Sequence, residues 1–108
     1  MNTIRNVVLF AMLFPAVSLA ADEEILLTIR NHSFEPAVLR VKANTKIKIV
    51  VQNQDATAEE FESHELNREK VIPGNGKAVI FVGPLRPGNY PFYGEFHADT
   101  ARGQLVAE

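Results

Sequence analysis

Apolar and polar residues alternate along several short stretches of this chain. Between residues 46 and 51 every odd position is isoleucine or valine, and two of the three even positions are lysine. Such an alternation places apolar side chains on one face of a strand and charged side chains on the other. Similar stretches, separated by Gly, Pro and Asn, predict strands at 25–30, 38–42, 77–82, 89–96 and 104–107. The pattern therefore predicts an all-β sandwich.

One segment departs from this pattern. Thr57 and Glu60 have the spacing of a helix capping box. The apolar residues that follow, Phe61 and Leu66, are five positions apart and do not form the stripe of an amphipathic helix. We therefore expect a short strand at 60–63, followed by a short helix or a loop near 64–70.

The first 20 residues have the layout of a secretory signal peptide. A basic start at Arg5 precedes an apolar run from 7 to 16, and Ser18 and Ala20 supply the small residues of a cleavage site. The apolar run is shorter than the roughly 20 residues that a membrane span needs, so a retained anchor is the alternative. These features predict a signal peptide at 1–20, one domain at 21–108, a periplasmic location and no membrane span after cleavage.

Composition narrows the classes of function. The chain has 108 residues, a net charge of −2 and no cysteine. Because no basic stripe is present, nucleic acid is not an expected partner. The sequence also has no Ser-His-Asp spacing, phosphate-binding loop or Gly-rich nucleotide motif, so it does not support a hydrolase or a nucleotide enzyme. Without disulfides, a small exported domain depends on sheet packing or on a bound ligand for its stability.

The order of the strands and turns resembles the cupredoxin family. Residues 33–36 (Ser-Phe-Glu-Pro) resemble the F-x-P turn between that family's first two strands. Residues 41–45 resemble its V-x-A-G-T turn, with Asn44 in place of glycine; both residues tolerate a positive φ. Residues 83–90 resemble its L-x-P-G-x-Y corner. The resemblance covers nearly all of 21–108 and implies a cupredoxin-like Greek-key β-sandwich.

A narrower resemblance concerns metal uptake. Residues 60–63 (Glu-Phe-Glu-Ser), 68–70 (Arg-Glu-Lys) and 92–97 (Phe-Tyr-Gly-Glu-Phe-His) are similar to segments of the small periplasmic cupredoxin-like proteins of bacterial iron uptake. The resemblance implies an accessory role in iron or copper uptake. It implies as partners a metal ion and either an iron permease or a periplasmic iron-binding protein, with Cu²⁺ or Fe²⁺/Fe³⁺ as the bound ion.

The blue-copper ligands of that family are mostly absent. A blue-copper centre uses one Cys, two His and a weak axial Met. The resemblance aligns the upstream His near Glu60, the C-x-x-H pair on Gly94 and His97, and the axial Met near Arg102. Of these four ligands only His97 is retained. A type 1 copper site is therefore not expected.

The residues near these positions predict a different metal site. Glu60 and Glu62 share one face if their segment is extended, and Glu95 and His97 have the same spacing. Carboxylate and imidazole ligands suit Fe²⁺, Fe³⁺, Mn²⁺, Zn²⁺ or Cu²⁺. The predicted metal ligands are therefore Glu60, Glu62, Glu95 and His97. The alternatives are solvated surface charge for the glutamates and a hydrogen bond to a backbone carbonyl for the histidine.

Other polar residues have simpler interpretations. Glu69 lies between Arg68 and Lys70 and is expected to form an ion pair. His64 is four residues after Glu60, a spacing that a strand would not bring together, and His32 is expected to be exposed beside the first turn. Five glutamates lie within eleven residues, and a metal cation or a basic partner surface could neutralise them.

Three functional hypotheses follow. The first is a periplasmic metal-binding protein that serves iron or copper uptake. The second is an enzyme, a copper-dependent ferroxidase of the same uptake system. The third is an interaction domain without a metal, which docks a partner through its acidic residues.

Overall fold

The computed structural model describes residues 21–108, so the predicted signal peptide at 1–20 lies outside the described residues. Two sheets contain all nine strands of the described range. The four-stranded sheet has the order β2-β1-β4-β7, with bounds β1 Glu23–Arg30, β2 Ser33–Glu35, β4 Ile47–Asn53 and β7 Lys77–Val82. The five-stranded sheet has the order β3-β9-β8-β5-β6, with bounds β3 Val38–Val41, β5 Glu59–Ser63, β6 Arg68–Ile72, β8 Gly88–Gly94 and β9 Arg102–Ala107.

Both sheets are mixed. Strand β1 pairs with β4 in parallel, as β3 does with β9, and the other pairs are antiparallel. One turn of 3₁₀ helix, Glu95–His97, follows β8. The predicted all-β sandwich is confirmed. No helix within residues 21–108 is long and apolar enough to cross a membrane.

The alternation read from the sequence determines which face of each strand is buried. In β4, Ile47, Ile49 and Val51 have no exposed surface. The core between the sheets contains an aromatic cluster in which Phe61 stacks on Phe92 with ring centroids 4.9 Å apart. Phe34 meets Phe92 edge to face at 5.1 Å. This cluster supports the inner face of β5 and β8, the two strands that carry the candidate site.

Two parts of the secondary structure differ from the expectation. Residues 64–67 form a turn, but 68–70 belong to β6 and are neither helix nor loop. Strand β6 has four exposed residues before its one buried residue, so it shows no alternation and forms because it pairs with β5. The predicted strand 89–96 ends at Gly94, and Phe96 is half exposed, not packed in the core.

The turn between β1 and β2 is stabilised by a side chain that is distant in the sequence. Its two residues, Asn31 and His32, have φ values of 53° and 55°, as a type I′ turn requires. The carboxylate of Asp55, from the loop after β4, accepts both backbone N–H groups at 2.8 and 2.9 Å. The hydrogen bond from the backbone N–H of His32 is the main reason that the pKa of Asp55 is lowered. Asn44 has a φ of 60°, as its place in the V-x-A-G-T turn implied.

Candidate functional site

Strand β5 carries two different sets of glutamates because its residues alternate between faces. Glu59, Phe61 and Ser63 point inward and are buried, whereas Glu60 and Glu62 are only partly covered. Glu59 is 1% exposed. A buried carboxylate is strongly destabilising unless hydrogen bonds satisfy its oxygens. The hydrogen bonds of Glu59 are therefore described first. We call Glu59, His97 and Gly94 the inner site.

The carboxylate of Glu59 accepts three hydrogen bonds. Its Oε1 atom accepts the backbone N–H of Glu60 at 3.0 Å and that of Phe96 at 2.9 Å. Its Oε2 atom lies 2.5 Å from Nδ1 of His97. Because a carboxylate can only accept, Nδ1 carries the proton of this imidazole. Glu59 thus joins β5 to the 3₁₀ turn after β8.

Gly94 packs closely against Ala101 and Glu59 in this inner site. Its backbone N–H donates to the carbonyl of Ala101 at 2.8 Å. A Cβ atom on Gly94 would lie 2.6 Å from Cδ of Glu59 and 2.6 Å from Cβ of Ala101. The space that a side chain at this position needs is therefore already filled by Glu59 and Ala101.

A second group of carboxylates lies on the outer face of the same sheet. Glu60 and Glu62 of β5 lie beside Glu69 of β6, and Glu62 is paired directly with Glu69 across the strands. One ligand atom from each of these three residues lies within 4.8 Å of the others, the arrangement of a candidate metal site. We call Glu60, Glu62 and Glu69 the acidic trio.

Two residues of the trio, Glu60 and Glu69, have pKa values above the ordinary value of a glutamate. A hydrogen bond to Glu62 raises the pKa of Glu60, and a hydrogen bond to Glu60 raises the pKa of Glu69. Burial, followed by the charge of Glu95, raises the pKa of Tyr93 in the adjacent strand β8. The three carboxylates therefore repel one another when all are ionised.

The surface beside the trio is concave. A polar pocket of about 360 Å³ is lined in part by Glu62, Glu69, His64 and Tyr93. A small ion or a polar group of a partner can reach the trio through this pocket.

The structure brings together some of the predicted ligands and separates others. Glu60 and Glu62 lie together, and Glu95 is close enough for its charge to raise the pKa of Glu60. His97 does not belong to the trio, because its Nδ1 atom turns inward to Glu59. Ligation of a metal by Glu60, Glu62, Glu95 or His97 stays a prediction.

The structure gives two glutamates, Glu69 and Glu59, roles that the sequence does not predict. Glu69 was expected to form an ion pair, but neighbouring Arg68 donates to the backbone carbonyls of Phe81 and Asn67. A strand at 68–72 paired with β5 would have placed Glu69 opposite Glu62. In the sequence Glu59 is one of the five glutamates that lie within eleven residues, and no motif distinguishes it from the others. Glu59 is two positions before the apolar Phe61, and the period of two along a strand is the signal that places both on the inner face.

The repulsion within the trio predicts a pH dependence. The pKa values of Glu60 and Glu69 are higher in the folded chain than in the unfolded chain, so folded stability decreases as the pH rises through the folded values. Replacing Glu69 by Gln removes one repelling charge. We expect a higher midpoint of thermal unfolding for Glu69→Gln at neutral pH, and no gain below about pH 4, where unfolded glutamates are protonated too.

Circular dichroism melts from pH 3 to pH 8 measure this difference. Glu65→Gln is the matched control, because it makes the same change of net charge at an exposed turn residue outside the trio. An equal gain in both variants would assign the effect to net charge and not to the trio.

Comparison with known proteins places this geometry in a family. The fold and the residues at its end define a cysteine-free β-sandwich whose inner site is filled by its own carboxylate. The chain belongs to the cupredoxin-like domain family, whose model matches residues 3–107. It is 43% identical over 83 residues to the uncharacterized protein RP394 of Rickettsia prowazekii, a match that covers 77% of this chain and 66% of that protein.

Solved structures share the fold at low identity. Auracyanin A, a blue copper protein from Chloroflexus aurantiacus, has a TM-score of 0.69 and 15% identity over 79% of this chain and 98% of its own. The metal-binding domain of the Cu(I)-exporting ATPase CopA from Streptococcus pneumoniae has a TM-score of 0.67 and 15% identity, covering 79% of this chain and 84% of that one. Amicyanin from Paracoccus versutus has a TM-score of 0.63 and 13% identity, covering 84% and 86%.

The inner site does not fit type 1 copper. The chain has no cysteine to supply the thiolate. The position that resembles the copper-ligating cysteine, Gly94, has no room for a Cβ atom. The side chain that meets His97 there is Glu59 and not Glu60, because alternation along β5 turns Glu60 outward.

Proposed function

We propose that this protein is a periplasmic cupredoxin-like protein that binds a hard metal cation at the acidic trio and serves iron uptake. The observation that carries the proposal is the set of three carboxylates, Glu60, Glu62 and Glu69, with ligand oxygens within 4.8 Å of one another. Nothing in the function requires a thiolate, and the chain supplies none.

The ligand chemistry of the trio suits hard cations. Oxygen donors favour ions such as Fe³⁺ and Mn²⁺, whereas thiolate favours Cu⁺ and imidazole suits zinc, copper and iron alike. His97 would have brought imidazole to the predicted site, but its Nδ1 atom is bonded to Glu59. A bound cation would also relieve the repulsion that raises the pKa values of Glu60 and Glu69. The trio alone suits a hard cation such as Fe³⁺. Among divalent ions the same oxygen site binds Cu²⁺ more tightly than Fe²⁺, so the assignment to iron rests on the resemblance to iron-uptake proteins.

The place in uptake is supported by the sequence. The first 20 residues have the layout of a signal peptide, which indicates export to the periplasm. The resemblance to cupredoxin-like proteins of iron uptake indicates an iron permease or a periplasmic iron-binding protein as the partner. The open pocket beside Glu62 and Glu69 would let such a partner reach the ion.

The proposal predicts metal binding that depends on the trio. We expect Fe²⁺ under anaerobic conditions, and Mn²⁺ as a redox-stable probe, to bind the protein with one ion per chain. The triple variant Glu60→Gln, Glu62→Gln and Glu69→Gln should lose at least an order of magnitude in affinity, because it keeps the shape but removes the charge of the oxygen ligands. Isothermal titration measures both, with Cu²⁺ titrated in parallel. Binding should weaken as the pH falls through the raised pKa values, since protons compete for the same oxygens.

The control is Glu65→Gln, which should bind as the wild type does. In cells, deletion of the gene should lower iron content under iron limitation, and the triple variant should not restore it. Equal binding by wild type and triple variant would refute the metal site at the trio.

One observation favours a second candidate, an interaction domain that needs no metal. The carboxylate of Glu59 joins β5 to the 3₁₀ turn after β8 by hydrogen bonds, so side chains and backbone of this chain hold this end of the sandwich together. The same titrations separate the two candidates. A ligand that binds the folded state must raise the unfolding midpoint, and an unchanged midpoint with Fe²⁺, Mn²⁺ and Cu²⁺ would support the interaction domain.

A further inference from the structure

Two histidines that are 65 positions apart in the sequence stack at one end of the sandwich. The rings of His32 and His97 have centroids 3.6 Å apart and planes 10° apart. His32 belongs to the turn between β1 and β2, and His97 ends the 3₁₀ turn after β8. The side chain of His97 is 26% exposed, so this pair lies at the surface above Glu59.

Glu59 determines which nitrogen of His97 is available. Its carboxylate accepts a hydrogen bond from the N–H at Nδ1, which leaves Nε2 with the lone pair in the neutral imidazole. Metal-ligating histidines almost always donate their other ring N–H to a carboxylate, a carbonyl or water, which orients the ring and raises the basicity of the ligand nitrogen. His97 therefore has the supporting contact of a ligand that binds through Nε2.

The backbone positions of both histidines are held by several bonds. Asp55 accepts the N–H of His32, and the hydroxyl of Thr100 donates to the carbonyl of His32. The N–H groups of Thr100 and Ala101 both donate to the carbonyl of His97. Thr100 thus connects the two turns and keeps the two rings side by side.

His32 also has a backbone conformation that its residue type does not favour. Its φ of 55° lies in the left-handed region, at the second position of a type I′ turn, where glycine is most favoured. Its ring has two contacts, the stack on His97 and a long contact of 3.4 Å from Nε2 to the hydroxyl of Thr57. The backbone of the turn does not depend on an imidazole, and the ring is held by the stack and by the Thr57 contact alone.

We propose that His32 and His97 form a second metal site that binds a borderline divalent cation such as Zn²⁺ or Cu²⁺. Nε2 of His97 supplies the first ligand, and a ring nitrogen of His32 supplies the second. The ring lone pairs of two stacked imidazoles lie in parallel planes and do not converge on one ion. His32 must therefore rotate out of the stack and leave Thr57 to bind the same ion as His97. Water completes the coordination. Imidazole donors suit Zn²⁺ and Cu²⁺, in contrast to the carboxylates of the acidic trio.

The test is a titration of the protein with Zn²⁺ followed by ¹⁵N NMR of the imidazole side chains. The nitrogen signals of His32 and His97 should move together with one ion bound, and those of the exposed His64 should not move in the same phase. In His32→Gly the backbone bonds to Asp55 and Thr100 remain possible, and glycine suits the turn. This variant should keep the unfolding midpoint of the metal-free protein and should lose at least the roughly 10- to 100-fold in Zn²⁺ affinity that outer-sphere partners alone contribute.

Two further variants separate this site from the others. His64→Ala should bind Zn²⁺ as the wild type does. The Gln triple variant of the acidic trio should keep the His32 and His97 signals responsive to Zn²⁺, so failure of the trio and failure of the histidine pair give different results. Wild-type affinity in His32→Gly, or Zn²⁺-induced changes at His64 alone, would overturn the proposal.

Discussion

Replacing Glu59 by alanine is expected to lower the free energy of unfolding by about 2–4 kcal/mol. The change removes the acceptor of the Glu60 and Phe96 backbone N–H groups and of Nδ1 of His97. A buried donor left without a partner is destabilising by about 1–3 kcal/mol, and the missing side chain also leaves a cavity in a position that is 1% exposed. For a domain of this size the loss is a large part of the total stability.

Urea unfolding followed by circular dichroism measures this difference. The matched control is Glu62→Ala, which removes the same side chain from the outer face of the same strand. Its charge belongs to a repelling group, so the control should not lower stability. Glu59→Gln keeps the size and one acceptor oxygen, and it should therefore recover part of the loss. If Glu59→Ala unfolds at the same urea concentration as the wild type, the carboxylate does not stabilise the end of the sandwich.

Replacing Gly94 by alanine is expected to lower the free energy of unfolding by about 1–3 kcal/mol through overpacking. The new Cβ atom would lie 2.6 Å from Cβ of Ala101 and 2.6 Å from Cδ of Glu59. Ala101 cannot rotate away, and Glu59 is held by its three hydrogen bonds. The strand or the 3₁₀ turn after it must therefore shift.

Gly88→Ala is the control for this change. Gly88 begins the same strand that Gly94 ends, and the nearest atom to its added Cβ would be at 3.7 Å, an ordinary contact. Its stability should stay within about 0.5 kcal/mol of the wild type. In the Ala101→Gly background, Gly94→Ala should be less destabilising than in the wild type, because one of the two clashes is absent. Equal losses at Gly88 and Gly94 would show that the inner site has room for a side chain.

These two predictions concern the same physical feature. In a blue-copper site the metal binds two His, one Cys and a weak axial Met. In this chain the carboxylate of Glu59 joins β5 to the turn after β8 by hydrogen bonds alone. The space beside Gly94 is thereby filled by protein atoms. The candidate metal ligands lie nearer the surface, in the acidic trio and in the histidine pair.

The strands with clear alternation were predictable from the sequence. Residues 46–51 alternate strictly enough that the buried face of β4 followed directly from their spacing, because side chains on a strand have a period of two. Strand β6 was not predictable in this way. Its residues are charged or exposed except for Ile72, and only pairing with β5 makes it a strand.

In the candidate site, too, some features were predictable from the sequence and others depend on the tertiary structure. The residue types alone establish that no thiolate is available to bind copper, that several glutamates lie near residue 60, and that a histidine is present at position 97. Only the tertiary structure decided which glutamate faces which partner, because one residue of register along β5 separates a buried carboxylate from an exposed one. Glu59 meets His97, Glu62 meets Glu69, and His32 stacks on His97 only through contacts between distant segments. Residue types set which ligands are available, but strand pairing and packing set which of them meet.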